Sequence, residues 1–326
     1  MLLAPHPLQR SGAWAAALMA DRTHPHHVTT ADLDSLAERI AADCDRSGHL
    51  SKDEPGWAWL VRLAGMYPQS PPVHPSRSKS TRPIGPRVRD FLGPDPDPSQ
   101  VQASGQEVWP CFLCGAAGAS IRWGKDRFPL SDSTSHLNNS VVYGGGYPLC
   151  RGCRVALWAL PYGTAAAGHE NQTVTGFDDT LEAAVTAAHL KTSLQALDER
   201  WTTWRHAPAA HDLLWQTLAA LPDPQVSVNI LRWTHGNRES TLEMLDLTPA
   251  ATAHLARLHH TADLAELHRA ARTARAHPLN LVAAPERLAH ALASAPHWAT
   301  PALQQLDPDD RTPAEAAEET GSAGHR

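Results

Sequence analysis

Cys111-Phe112-Leu113-Cys114 and Cys150-Arg151-Gly152-Cys153 place four of the chain's five cysteines in two Cys-x-x-Cys pairs, with 35 residues between the pairs. Two residues between paired cysteines let one tight turn present two sulfurs to one ion, and a tetrahedral Zn²⁺ takes four such ligands at about 2.3 Å. Two turns far apart in sequence must therefore meet at one point, which limits the possible folds more than any other feature. The expectation is one structural zinc ion of the ribbon kind, held by Cys111, Cys114, Cys150 and Cys153.

Two other chemistries use the same residues. A redox Cys-x-x-Cys opens a helix in a βαβ context, whereas Gly115-Ala116-Ala117-Gly118 follows the first pair. Pro110-Cys111-Phe112-Leu113-Cys114 matches half of the zinc deaminase signature, but no His-x-Glu precedes it: His74 is followed by Pro75 and Ser76. A closed four-sulfur site accounts for both pairs. It has no open coordination position, so it organises backbone and does not catalyse. Cys44, the fifth cysteine, reads as a small buried hydrophobe on a helix.

A length of 326 residues implies about two domains. Met1 to Ala20 is interrupted by Pro5, His6, Pro7, Gln9 and Arg10 and lacks the apolar run of a secretory signal. No stretch approaches the ~18 apolar residues of a membrane span. With cysteines in metal-type spacing, a cytoplasmic protein is expected. The net charge of −6 is unevenly placed, because residues 307–326 alone contribute −4. That tail, rich in Ala, Glu, Asp and Pro, reads as disordered.

The expected architecture is α+β: a mostly helical chain with an inserted four-cysteine zinc ribbon and a later β-hairpin. A helical N-terminal segment, 1–67, includes a capping-box start at Thr29 to Asp32 with Leu33, Leu36 and Ile40 on one face. A basic linker, 68–104, follows, with a proline density that argues against helix and central strand alike. Its cations Arg77, Lys79, Arg82, Arg87 and Arg89 meet no acid until Asp90. Both a solvated loop and an arm that neutralises phosphates fit them.

The zinc-ribbon module is placed at 105–175. It interleaves Arg122, Lys125, Arg127, Arg151 and Arg154 with the aromatic residues Trp123, Phe128, Tyr143 and Tyr147. Gly144-Gly145-Gly146 fits a turn before the second pair or a close backbone approach. Val155 to Leu160 is an apolar run expected to stop at Pro161 and Gly163. A helical region, 176–306, puts Leu194, Leu197, Trp201 and Trp204 on one face. It contains the hairpin 226–247, whose turn is His235-Gly236-Asn237. Thr248-Pro249 is an N-cap with proline at the first helical position, opening a helix with Leu255, Leu258, Leu264 and Leu267.

Phosphate-cradling, dinucleotide, nucleophile-elbow and zincin motifs are all missing from the sequence. His169-Glu170 and the remaining histidines show no ligand spacing, and a non-enzyme is expected.

Residues 105–163 carry a resemblance. Cys-x-x-Cys-Gly, an insertion containing Phe128-Pro129-Leu130 and Asn138-Asn139, and Gly145-Gly146-Tyr147-Pro148-Leu149-Cys150-x-x-Cys153 leading to Ala-Leu-Pro-Tyr-Gly at 159–163 resemble the zinc-ribbon core of the large subunit of type I CRISPR interference complexes, the I-A/I-B-like branch. Ser11-Gly12-Ala13-Trp14-Ala15 is similar to that group's N-terminal motif, and Val226 to Leu247 to its later hairpin. The chain looks shorter than typical large subunits, so the expectation is that their C-terminal helical bundle is absent and that a separate small subunit fills its role.

The resemblance implies a non-catalytic, nucleic-acid-binding subunit of an RNA-guided surveillance complex. Such a subunit contacts guide RNA, target double-stranded DNA and the other subunits of the effector complex. It recognises the protospacer-adjacent motif, helps start unwinding, and engages a helicase-nuclease recruited in trans. The division of labour follows from guide pairing reading the long sequence while protein reads a few base pairs. Lys125, Arg127 and Arg151, with Arg122, are then candidates for phosphates or base edges, Asn138 or Asn139 for a groove contact, and the basic arm for phosphates. A stand-alone zinc-ribbon DNA-binding regulator and a structural protein-binding adaptor are the alternatives.

Overall fold

The computed structural model describes residues 1–70, 73, 83–103, 107–131, 145–167, 170–176, 178–204, 207–208, 210–221, 225–236 and 239–261. The fold is α+β. Its helices are α1 (Pro7–Met19), α2 (Thr30–Ser47), α3 (Trp57–Met66), α4 (Gly85–Leu92), α5 (Pro98–Ala103), α6 (Arg151–Gly163), α7 (Asp179–Asp198), α8 (Ala210–Ala220) and α9 (Pro249–Thr261). Two antiparallel sheets accompany them. One pairs β1 (Arg122–Trp123) with β2 (Tyr147–Pro148); the other runs in the order β3 (Ala165–Ala167), β4 (Glu170–Thr175), β5 (Val228–His235), β6 (Ser240–Leu247). No helix among the described residues is long and apolar enough to cross a membrane.

The chain divides into two compact units. The first comprises Met1–Leu213 and Asn229–Met244 and contains the four-cysteine cluster. In the second, Trp215 Nε1 donates to the Leu255 carbonyl at 2.8 Å, and Thr252 Oγ1 donates to the Val226 carbonyl at 2.8 Å. Thr248 Oγ1 accepts from Ala251 N at 3.2 Å, capping α9 as the Thr-Pro dipeptide predicts.

The first unit is built around α1 and α6, which approach so closely that side chains are excluded between them. A Cβ on Gly12 would lie 1.9 Å from the Ala156 carbonyl oxygen, and one on Gly163 would lie 2.9 Å from both Ala15 Cβ and the Ser11 carbonyl oxygen. Ser11 Oγ donates to the Gly163 carbonyl at 3.0 Å across this contact. Helix α1 is buried on nearly every side, so its polar residues need partners inside the protein. Arg10 forms a two-pronged pair with Glu182 at 2.9 and 2.6 Å, and Trp14 Nε1 donates to the same carboxylate at 2.9 Å.

Helix α6 continues through Pro161, where the sequence alone predicts a stop. A proline inside a helix leaves the carbonyl four residues earlier without its donor. Here that carbonyl belongs to Leu157, and the Tyr67 hydroxyl donates to it. The defect is repaired by a residue 90 positions away, which no local pattern reveals. Tyr67→Phe is expected to lower stability by about 1–3 kcal/mol by leaving a buried carbonyl unsatisfied. The urea unfolding midpoint measures this.

The proline-rich stretch also forms helix where its composition argues against it. Pro86 lies in the first turn of α4 and Pro98 opens α5, positions where a missing N–H costs nothing. Asp45 Oδ1 accepts the N–H groups of Ile84 and Gly85 at 2.8 and 3.1 Å, and Val88 and Leu92 are fully buried. Packing and a distant carboxylate stabilise a helix that propensity alone would not.

Other expectations hold. Thr29 and Asp32 form a reciprocal capping box, and Cys44 is fully buried on α2. The hairpin appears as β5 and β6, with Gly236 N donating to the Glu239 carbonyl at 2.9 Å. It does not stand alone: β4 pairs with β5 in a register that sets Asn171 opposite Trp233 and Val174 opposite Ile230. Residues 165–167 and 170–175, placed with the ribbon module from sequence, thus form strands of the hairpin's sheet. Trp201 and Trp204 lie beyond the end of α7 and are not on its face, because Arg200 takes a left-handed φ of 54°.

Candidate metal centre

The first knuckle is a turn closed by its own backbone. Cys111 N donates to the Ala116 carbonyl at 2.7 Å and Gly115 N to the Cys111 carbonyl at 2.8 Å, with Gly115 at φ 74°. That positive φ explains the glycine after the second cysteine. Phe112 N donates to the Pro148 carbonyl at 2.8 Å and Leu149 N to the Ile121 carbonyl at 2.9 Å, which brings the second knuckle alongside. Gly146, at φ 115°, lies so near Trp123 that a Cβ would come within 2.7 Å of its carbonyl oxygen. The glycine run therefore serves the β1–β2 approach as well as the turn.

Cys150 is the N-cap of α6 and Cys153 lies in its first turn. The partial positive charge of a helix N-terminus favours thiolates there. The four sulfurs all lie within 4.8 Å of one another, and Cys114 Sγ is 3.6 Å from Cys150 Sγ. Four sulfurs about 2.3 Å from a shared tetrahedral centre would be roughly 3.8 Å apart, so the cluster has the dimensions to hold one metal ion.

Hydrogen bonds from Cys114, Cys150 and Cys153 lower the Cys111 thiol below its ordinary value, while hydrogen bonds to Cys111, Cys114 and Cys150 raise Cys153. A cation is what lets all four exist as thiolates together. With four protein sulfurs present, the donor set is complete.

Surrounding residues fix this cluster to the helices. Gln9, fully buried on α1, reaches Cys153 Sγ at 3.8 Å, accepts from Ala4 N at 2.8 Å and donates to the Leu2 carbonyl at 2.8 Å. Arg154 is fully buried, donating to the carbonyls of Phe91 and Gly93 and pairing with Asp95 at 2.7 Å. Burial lowers the pKa of its guanidinium despite that partner.

The candidate nucleic-acid contacts divide sharply. Arg151, expected at a phosphate or base edge, points inward. It is 8% exposed, donates to the Leu92 carbonyl at 3.0 Å and pairs with Asp34 at 2.6 Å. It braces α6 against α2 and α4, and the adjacent Asp95 accepts its backbone N–H at 2.9 Å. Arg127 stacks over Phe91 at 4.1 Å and pairs with Asp126 at 2.9 Å. Arg122 lies over Trp109 at 5.5 Å and 3.7 Å from Glu107. Arg89 pairs with Glu38 at 2.6 Å on the surface, while Arg87 and Lys125 are half-buried. Arg77, Lys79, Arg82, Asn138 and Asn139 lie outside the described residues, as does the chain beyond 261, including the acidic tail.

One residue went unnoticed in the sequence. Phe112, between the first two cysteines, is 42% exposed and packs its ring 4.4 Å from Tyr147 and 6.5 Å from Phe128. Its position inside the Cys-x-x-Cys turn was the available signal, although position alone does not decide exposure: Leu113, beside it in the same turn, is buried. No protein-family model, no curated protein and no solved structure matches the chain.

Proposed function

We propose that the cluster holds one zinc ion and that the chain is a non-catalytic, nucleic-acid-binding subunit of an RNA-guided CRISPR surveillance complex, where it recognises the protospacer-adjacent motif of target DNA and helps start unwinding. The four-sulfur cluster carries this reading. Four sulfur donors suit Zn²⁺, and a closed S₄ set leaves no position for substrate or water. The role is then to hold a surface rigid, which groove contacts to a few base pairs require. The resemblance of residues 105–163 to the large-subunit ribbon supplies the biological setting.

Phe112 offers an exposed ring for stacking, and Lys125 offers charge in the same module. Arg151 is not part of the contact surface, given its interior partners. Arg77, Lys79 and Arg82 remain the phosphate arm. Reversing these three charges should lower affinity for guide RNA or target DNA. If each meets one phosphate, the slope of log K against log salt should fall by about three. Filter binding between low and moderate salt on the reconstituted complex measures both. Unchanged affinity and slope would remove the arm.

An adaptor reading has one observation in its favour. Leu242 and Met244 are 59% and 58% exposed on β6, an outer strand of its sheet. Sister subunits would cover such a strand in either case. Copurification of a short, uniform RNA with the tagged protein and its neighbours separates the readings, since an adaptor alone carries none.

A further inference from the structure

Arg62 on α3 is a buried cation with no carboxylate partner among the described residues. It is 4% exposed, and its guanidinium donates to the carbonyls of Pro161 and Thr164 and to Thr164 Oγ1. Those carbonyls end α6 and present only about half a negative charge. Among the described residues no carboxylate pairs with it, and Nη1 has no partner at all. Burial pulls its pKa down to about 9, the response of a charge removed from water without compensation. Buried charges are ordinarily paired, so Arg62 is suited to an anionic partner.

The same residue lines a cavity of about 220 Å³ that also touches Gly65, Asn171, Trp204 and His235. Each of these supports an anion site. His235 is 4% exposed, and its Nδ1 accepts from Leu130 N at 2.6 Å, so the proton sits on Nε2, which is unpartnered. Burial, with Lys125 nearby, lowers its pKa to about 4, so it is a neutral donor at neutral pH. Asn171 is 5% exposed and lies opposite Trp233 in the sheet register, on the same face as His235. Trp204 backs the guanidinium at 4.8 Å. His189, also beside Arg62, is kept neutral by burial and then by that cation, and so supplies no negative charge.

Gly65 shows that the space is kept open by sequence. It lies inside α3, where glycine is a poor helix former, yet a Cβ there would meet no atom within 4 Å. Packing does not demand glycine at this position, and the residue lines the cavity, so a larger side chain would project into free space.

We propose that this cavity binds a small molecule bearing an oxyanion, a phosphate or a carboxylate, with Arg62 as the charge partner and His235 and Asn171 as neutral donors. Its volume is below the ~300–1,000 Å³ typical of pockets for larger ligands, which suits a small solute over a polymer. The inference stands apart from the nucleic-acid reading and survives its failure.

Calorimetric titration of the full chain with sodium phosphate, and separately with sodium acetate, tests it against sodium chloride at matched ionic strength. Saturable binding of either anion is expected; phosphate alone would indicate a phosphate-bearing ligand, and acetate alone a carboxylate. Gly65→Leu should fill the cavity, weaken binding at least tenfold and leave the metal content unchanged. Arg62→Met should also abolish binding if it folds, and Gly65→Leu carries the test if it does not. Absence of binding above chloride, or equal binding by Gly65→Leu, would overturn the proposal.

Discussion

Replacing Cys153 with serine, or stripping the metal with a strong chelator, is expected to collapse the ribbon and the base of α6 together. A structural zinc site contributes on the order of 10–16 kcal/mol of apparent binding free energy, comparable to the whole net stability of a typical domain, about 5–15 kcal/mol. No other interaction near the cluster is of that size, so its loss cannot be absorbed locally. Because Cys150 caps α6 and Gln9 of α1 touches Cys153, the damage should spread into the central helix pair. Elemental analysis should give one zinc per chain, and cobalt substitution should give a tetrahedral thiolate spectrum. Cys44→Ala is the control. That thiol is fully buried on α2, burial raises its pKa, and its loss should leave the metal in place. A folded wild-type protein with less than stoichiometric metal, or a Cys153→Ser variant of unaltered melting temperature, would refute the structural role.

Gly12→Ala should be the most damaging single methyl group in the helical core. The added carbon would stand 1.9 Å from the Ala156 carbonyl oxygen, which is backbone and cannot rotate away. Relief requires the whole of α1 to move off α6, disturbing the Arg10–Glu182 pair and the Ser11 bond to Gly163. Overpacking ordinarily costs about 1–3 kcal/mol; here the loss should exceed about 4 kcal/mol, the exceptional range for one substitution. Gly65→Ala provides the contrast. It is also a helical glycine, but an added Cβ there would meet no atom within 4 Å, so alanine should stabilise by up to about 1 kcal/mol through helix propensity. Urea titrations of both variants measure the difference. Equal effects would mean that the α1–α6 contact is looser than described.

Much of the candidate site was legible because metal ligation is written in local spacing. The four cysteines, the turn glycine after the first pair and the capped starts of α2 and α9 are patterns a few residues long. The direction of each arginine was not legible. Arg122 and Arg151 look alike in a list of cations, yet one lies over Trp109 near the surface and the other is enclosed by Asp34, Asp95 and the end of α4. Proline misled for the same reason. Pro161 forbids a helix only if nothing satisfies the Leu157 carbonyl, and Tyr67 satisfies it from another helix.

The residue order alone therefore settled the sulfur set, the caps, the β5–β6 hairpin and the α+β class, since each depends on chemistry between near neighbours. Tertiary structure decided which helices survive their prolines, which cations turn inward, how the hairpin joins β3 and β4, and that Arg62 lines a cavity with no acid among its described residues. Those outcomes depend on partners supplied from 39 to 172 residues away, and a buried polar group is satisfied or orphaned only when such distant segments meet.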